Sequence, residues 1–199
     1  IMKKGQRFLS NSAIASMGYD LPAAIGACMA AHDPEFEGDG YSKHDIILLT
    51  GEGSIQMNIQ ELQTIIHHKM PIKIFLINNG GYHSIRQTQK NFFGEPLVGI
   101  GVDSHDLSFP DMEKLAAAYG YPYVVAHHNE EVAGAVEKTL AMDGPVICEF
   151  YVTTDQNFEP KSSAKRLPDG TLVSPPLEDL SPFLPDEEMD KLMIIPRIK

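Results

Sequence analysis

Residues 46–79 read IILLTGEGSIQMNIQELQTIIHHKMPIKIFLINN, and their order decides the fold. Ile46–Thr50 is an unbroken apolar run, the mark of a strand buried on both faces, and it predicts a central place in a parallel sheet. Gly51-Glu52-Gly53-Ser54 makes a turn. Over residues 55–68, Ile55, Ile59, Leu62 and Ile66 fall on one stripe of an amphipathic helix. Pro71 then leads into a second buried strand, Ile72–Ile77, which ends in Asn78-Asn79. Strand, glycine-rich turn, helix, strand is a βαβ unit, which makes the two strands parallel neighbours.

Working outward, small and apolar residues at helical spacing (Leu21, Ala24, Ile25, Ala27, Cys28) predict a helix over 17–31, with Asp20 as a cap and Pro22 in its first turn. Gly26 and the alanines imply close packing against another backbone. DPEFEGDGYSKHD (33–45) reads as a polar surface loop. Downstream, helices are expected over 109–119 and 130–142, and strands over 123–126 and 145–152. This alternation predicts an α/β fold, a mostly parallel sheet with helices on both faces. Residues 1–153 form the expected domain. Residues 154–199, rich in proline and turn residues, read as an irregular C-terminal arm. It is either a surface meander or a segment that folds over a site or a neighbouring subunit. The start, IMKKGQRFLSNS, runs almost directly into a helix, as a piece cut from a longer chain would.

Composition narrows the function classes. The 199 residues carry 16 basic and 27 acidic side chains, a formal charge of −11. That balance argues against nucleic-acid and anionic-membrane partners. No apolar stretch is long enough to span a bilayer, which with the missing signal-like start predicts a cytoplasmic protein. Cys28 and Cys148 sit in apolar segments and read as reduced thiols, a disulfide being the alternative.

In an open parallel sheet, ligands bind beyond the carboxyl ends of the strands. Gly51–Ser54 and Asn78-Asn79 occupy two such ends. Glycines let a backbone approach a ligand, and a helix starting near Ser54 turns free amides toward it, so a diphosphate fits. A carboxylate from Glu52, the amide oxygen of Asn79 and a nearby carbonyl are hard oxygen donors of the kind Mg²⁺ takes. The dinucleotide-binding GxGxxG and the P-loop GK[ST] are both absent.

ASMGYDLPAAIGA (15–27), GEGSIQMNIQELQTI (51–65) and FLINNGGYHSIRQTQ (75–89) together resemble the C-terminal, diphosphate-binding domain of thiamine-diphosphate-dependent enzymes, closest to the acetolactate synthase-like subgroup. The resemblance runs over roughly residues 5–155. It implies that Glu52, Asn79 and the Gly81 carbonyl hold Mg²⁺, and that Gly51, Gly53 and Ser54 take the diphosphate. It also implies that Ala15, Ser16, Met17 and Tyr82 contact the cofactor. The Ala15 carbonyl would accept from the aminopyrimidine, and Met17 would wedge the bend between the rings, a plain core role being its alternative. In the family the aspartate of the motif stands where this chain has Glu52, one methylene longer. The resemblance further implies pyrimidine-binding and middle domains outside this chain, a homodimer or homotetramer joined through the cofactor face, and a 2-oxo acid or aldehyde substrate. A degenerate, non-catalytic diphosphate- or nucleotide-binding domain is the competing reading.

Other residues are weaker candidates. His83 is expected either to face the substrate or to take a helix-capping or solvent role. Arg86 and Gln87 are either substrate-facing or paired on a helix surface. Glu61 reads as a satisfied interface carboxylate, and Lys165 and Arg166 as solvated unless the arm closes over a site. The adjacent pairs His67-His68 and His127-His128 point in different directions on any regular element and make poor metal sites.

Overall fold

The computed structural model describes residues 3–12, 14–32, 46–156 and 159–197; the loop expected over 33–45 lies outside them. Two compact units divide the chain, Ile1–Thr154 and Asp155–Lys199. In the first, the order is α1 (Asp20–Ala31), β1 (Ile46–Gly51), α2 (Glu52–Ile55), a 3₁₀ turn (Gln56–Asn58), α3 (Glu61–His67), β2 (Ile72–Asn78) and α4 (His83–Phe92). A 3₁₀ turn (Val102–Ser104), α5 (Met112–Tyr119), β3 (Tyr123–Ala126), α6 (Asn129–Ala141) and β4 (Val146–Tyr151) complete it.

All four strands are parallel, in the order β1-β2-β4-β3. The two cores follow from strand alternation. Ile72, Ile74, Leu76 and Ile147 pack with Leu21, Ala24 and Cys28 of α1, Leu62 and Ile65 of α3, and Met112 and Ala116 of α5. Phe75, Val146 and Cys148 turn the other way, against Ala135 and Val136 of α6. Helices therefore cover both faces, as expected. β2 is buried throughout Ile72–Ile77 or nearly so, because it lies between two strands and under both helix layers. Lys73 shares that burial, and its Nζ donates to the carbonyls of Met142 and Gly144 at the end of α6. Both cysteines are free and buried, and burial raises both thiol pKa values.

Several local expectations are corrected. Among the described residues β1 is an edge strand, with Ile47 and Leu49 exposed, so its apolar run did not mean burial on both faces. The single helix expected over 55–68 is broken. It starts earlier, at Glu52, tightens to 3₁₀ and resumes as α3, leaving Ile59 and Ile66 only partly buried. Asp20 does not cap α1. It is the first helical residue, its Oδ1 accepts from the Leu21 amide and its Oδ2 from the Thr50 hydroxyl, which ties α1 to the end of β1. Gly26 is exposed, and a Cβ there would meet open space, so no backbone packs on it among the described residues. The second unit is irregular over most of its described length, as expected, and adds only a short antiparallel hairpin, β5 (Lys165–Arg166) with β6 (Leu172–Val173), and one helix, α7 (Asp186–Leu192). Lys165 pairs there with Asp179.

Candidate functional site

Register sets the site. Gly51 at the end of β1 lies opposite Ile77 on β2, so the residues that follow each strand emerge side by side. Gly51 is extended and the chain turns directly into α2, which places Glu52, 1% exposed, beneath the turn that leaves β2. Its Oε1 accepts from the amides of Gly81 at 2.6 Å and Asn79 at 3.3 Å. The extra methylene of glutamate is used here to cross to the neighbouring strand's turn. Burial raises the Glu52 pKa, and the two amides and the Arg86 charge pull it back.

The turn Asn79–Gly81 is held on every side. The Gly80 amide donates to Asn78 Oδ1 at 3.0 Å, with Gly80 at φ +69°, a conformation that suits glycine. The Gly80 carbonyl accepts from the Val102 amide at 3.1 Å, and the Tyr82 amide donates to the Ile100 carbonyl at 2.7 Å. These bonds lay the 99–104 loop flat on the glycine pair. A Cβ on Gly81 would stand 2.0 Å from the Ile100 carbonyl, and one on Gly101 2.2 Å from that of Gly80. From below, Asn78 Nδ2 donates to Glu149 Oε1 at 2.7 Å, and Glu149, fully buried on β4, also accepts from the Tyr123 hydroxyl. That contact and burial raise the Tyr123 pKa. Inside this frame Asn79 Oδ1 is buried with no hydrogen-bond partner. A buried carbonyl oxygen left without a donor is uncommon, and a hard cation is what such an oxygen accepts.

The opposite wall is residues 14–18. The Gly18 amide donates to Ser54 Oγ at 3.0 Å, and the Gly18 carbonyl accepts from Asn58 Nδ2 at 2.6 Å. Gly18 has φ +82°, and a Cβ there would fall 2.5 Å from that of Met57, so the segment is fastened to the 3₁₀ turn. Just before it, Met17 is 40% exposed, Ser16 is exposed, and Ala15 takes a left-handed φ of +53°. Tyr82 lies over Gly53 and meets Phe109 edge to face, with centroids 5.5 Å apart. The expected residues therefore fall into three groups: Gly51–Ser54 at the end of β1, Asn79–Tyr82 at the end of β2, and 15–17 before α1, the last tied to the first through Gly18.

Burial removes the solvent alternative for His83 and the surface alternative for Arg86. His83 is buried at the start of α4, and Arg86 is 1% exposed. Arg86 is therefore not a surface residue. Its Nε lies 2.8 Å from Asp103 Oδ2 and its Nη1 3.2 Å from His83 Nδ1; a guanidinium has only donors, so Nδ1 accepts. Glu61 accepts from Thr64 on its own helix at 3.0 Å. Asn58, Asp103, Gly101 and Glu149 escaped the sequence reading. Glu149 alone carried a signal, a carboxylate inside the apolar run VICEFY.

Comparisons with known proteins identify the fold and the family. The family model described as "Thiamine pyrophosphate enzyme, C-terminal TPP binding domain" matches residues 1–150. The acetolactate synthase large subunit of Pyropia yezoensis is 34% identical over 157 residues, covering 79% of this chain and 24% of that protein. The acetolactate synthase of Mycobacterium bovis is 31% identical over 163 residues, covering 81% and 25%. Among solved structures, the thiamine diphosphate-dependent 4-hydroxybenzoylformate decarboxylase of Rhodococcus jostii superposes with a TM-score of 0.59 at 28% identity, over 73% of this chain and 25% of that one. The chain spans about a quarter of the length of the curated relatives it matches. A parallel sheet with its loops gathered at one end, a buried carboxylate under a glycine turn and a match across three quarters of the sequence lead to one assignment: the chain belongs to the family of C-terminal thiamine-diphosphate-binding domains of thiamine-diphosphate-dependent enzymes, acetolactate synthase-like.

Proposed function

We propose that this domain anchors thiamine diphosphate through Mg²⁺ in a carboligase or decarboxylase acting on a 2-oxo acid such as pyruvate. The observation that carries the metal reading is the buried, unpartnered Asn79 Oδ1. Asn79 Oδ1, a Glu52 carboxylate oxygen and the Gly81 carbonyl would hold the ion. Both turn amides bond Glu52 Oε1, which makes Oε2 the oxygen for the cation. The backbone of Gly51, Gly53 and Ser54 would take the diphosphate, with Tyr82 packed on Gly53 closing that side to water. When bound, the cofactor supplies a carbon nucleophile and an electron sink for cleaving or forming a bond next to a carbonyl.

The remaining residues orient it. Ser16 lines the pyrimidine side, the Ala15 carbonyl accepts there, and Met17, presented on the fastened Gly18 segment, supports the bend. His83, with Nδ1 taken by Arg86, supports the frame more directly than the substrate. The acid that activates the pyrimidine comes from a separate pyrimidine-binding domain, so these 199 residues alone are inactive, and the working enzyme is a homodimer or homotetramer joined through this face. The free, buried cysteines fit a reducing, cytoplasmic compartment.

The test is thermal. In the full-length protein, thiamine diphosphate with Mg²⁺ raises the melting temperature, Mn²⁺ or Ca²⁺ does so at least as well, and Glu52→Gln removes most of the shift. Glutamine keeps an oxygen for the turn amides, so the loss reports the ion rather than the fold. Equal shifts in parent and variant would take Glu52 out of the site and bring the non-catalytic reading forward.

A further inference from the structure

We propose that Arg86 is a positioning residue for the cation site: its guanidinium fixes the Asn79–Gly81 turn in the shape that leaves the Asn79 side-chain oxygen as its unpartnered acceptor. The inference rests on the reading of Glu52, Asn79 and Gly81 as ligands and gives a role to a residue outside that set.

A guanidinium 1% exposed is costly unless its donors are met. Here each edge of the fork has a separate destination. Nε lies 2.8 Å from Asp103 Oδ2 as an ion pair without making a hydrogen bond, Nη1 donates to His83, and Nη2 is shared between the carbonyls of Asn79 at 3.5 Å and Gly80 at 3.4 Å. The two carbonyl contacts are long and individually weak. Their effect comes from a plane already fixed at its other two corners.

The turn's three amides and the Gly80 carbonyl are taken as well. Glu52 Oε1 receives the amides of Asn79 and Gly81, Asn78 Oδ1 that of Gly80, and the Gly80 carbonyl also receives the Val102 amide. Asp103 sits beside Val102 on the same 3₁₀ turn, so Arg86 joins the loop above the glycines to the turn beneath it. The Asn79 side-chain oxygen is left without a hydrogen-bond partner, beside the Gly81 carbonyl that the ligand reading also uses.

Repulsion of a divalent ion by a fixed cation this close predicts tighter metal binding when Arg86 is neutralised, and a charge that merely favours an ionised Glu52 is preserved by lysine. A purely structural role predicts a lower melting temperature of the metal-free protein, with unchanged affinity in the folded fraction. Positioning predicts weaker metal binding from both Arg86→Lys, which keeps charge without the fork, and Arg86→Met.

Mn²⁺ is titrated into the full-length protein with saturating thiamine diphosphate, free Mn²⁺ is read by electron paramagnetic resonance, and metal-free melting curves are run alongside. Arg86→Lys should weaken Mn²⁺ binding about 10-fold or more, as loss of a group supporting metal ligands does, and Arg86→Met further still. Lysine binding as tightly as the parent, or methionine binding more tightly, overturns the proposal. Should neither variant fold, Asp103→Asn decides, because it loosens one corner of the guanidinium and leaves the rest. A several-fold loss supports the inference and an unchanged affinity ends it. A parent protein that takes up no Mn²⁺ with thiamine diphosphate removes the ligand assignment itself, whereas normal uptake by every variant removes only the role of Arg86.

Discussion

At Gly81 a single methyl group would stand 2.0 Å from a main-chain oxygen, and at Gly53 2.3 Å from the rim of the Tyr82 ring. Similar distances lead to different consequences, because a carbonyl held by two loops cannot step aside and a ring can swing. Gly81→Ala should therefore lose about 2–3 kcal/mol on urea unfolding, and Gly53→Ala about 1 kcal/mol or less with Phe109 losing its edge contact. Equal losses would mean that the 99–104 loop yields as easily as a side chain. The residues at the strand ends were legible in the sequence for a physical reason. A carboxylate between glycines and an asparagine pair have no business after apolar strands unless something polar waits there. Arg86 was not legible. In HSIRQTQK it looks like one more polar residue on a wet helix, and only the loop from Ile100 to Ser104 turns that face inward.

Among elements, the break between α2 and α3 was hidden, because the apolar stripe of 55, 59, 62 and 66 fits one continuous helix. Asn58 accounts for the difference. Its amide holds the Gly18 carbonyl, and that bond belongs to a segment forty residues earlier. The strands fared better, β3 matching its expected bounds and β2 and β4 lying within a residue of theirs, since buried runs are set by the sheet itself. Glu149 ties three strands together, accepting from Asn78 on β2 and Tyr123 on β3 while sitting on β4. Glu149→Gln sets an amide N–H₂ against one of two donors. It should cost about 1–3 kcal/mol in urea unfolding. A neutral result would show that Tyr123 or Asn78 finds another acceptor without strain.

For the whole molecule, what β1 leaves uncovered matters most. Ile47 and Leu49 are 51% and 65% exposed, and register places them on the same face as Lys73 and Phe75, the face that α6 covers farther along. The expectation of a central strand failed because an apolar run records what must be buried, not which chain does the burying. The 199-residue domain on its own should therefore self-associate, with an average mass in light scattering that climbs with concentration, and Ile47→Lys with Leu49→Lys should suppress the rise. A parent domain that stays monomeric throughout would show that the patch does not drive association.

The bond from Asn78 to Glu149 joins residues 71 positions apart. Every proposed ligand is present once Gly81 has been made, and β1, α2, α3 and β2 form from near neighbours in the sequence. The strand that steadies Asn78 comes last, after α4, α5, β3 and α6, and closing so long a loop is slow. A growing chain thus holds all the pieces of its cradle well before it can hold them still. Maturation of the site should therefore be a late event in folding, timed by the arrival of β4, and early protection of the Asn79–Gly81 amides in pulsed hydrogen exchange would refute it.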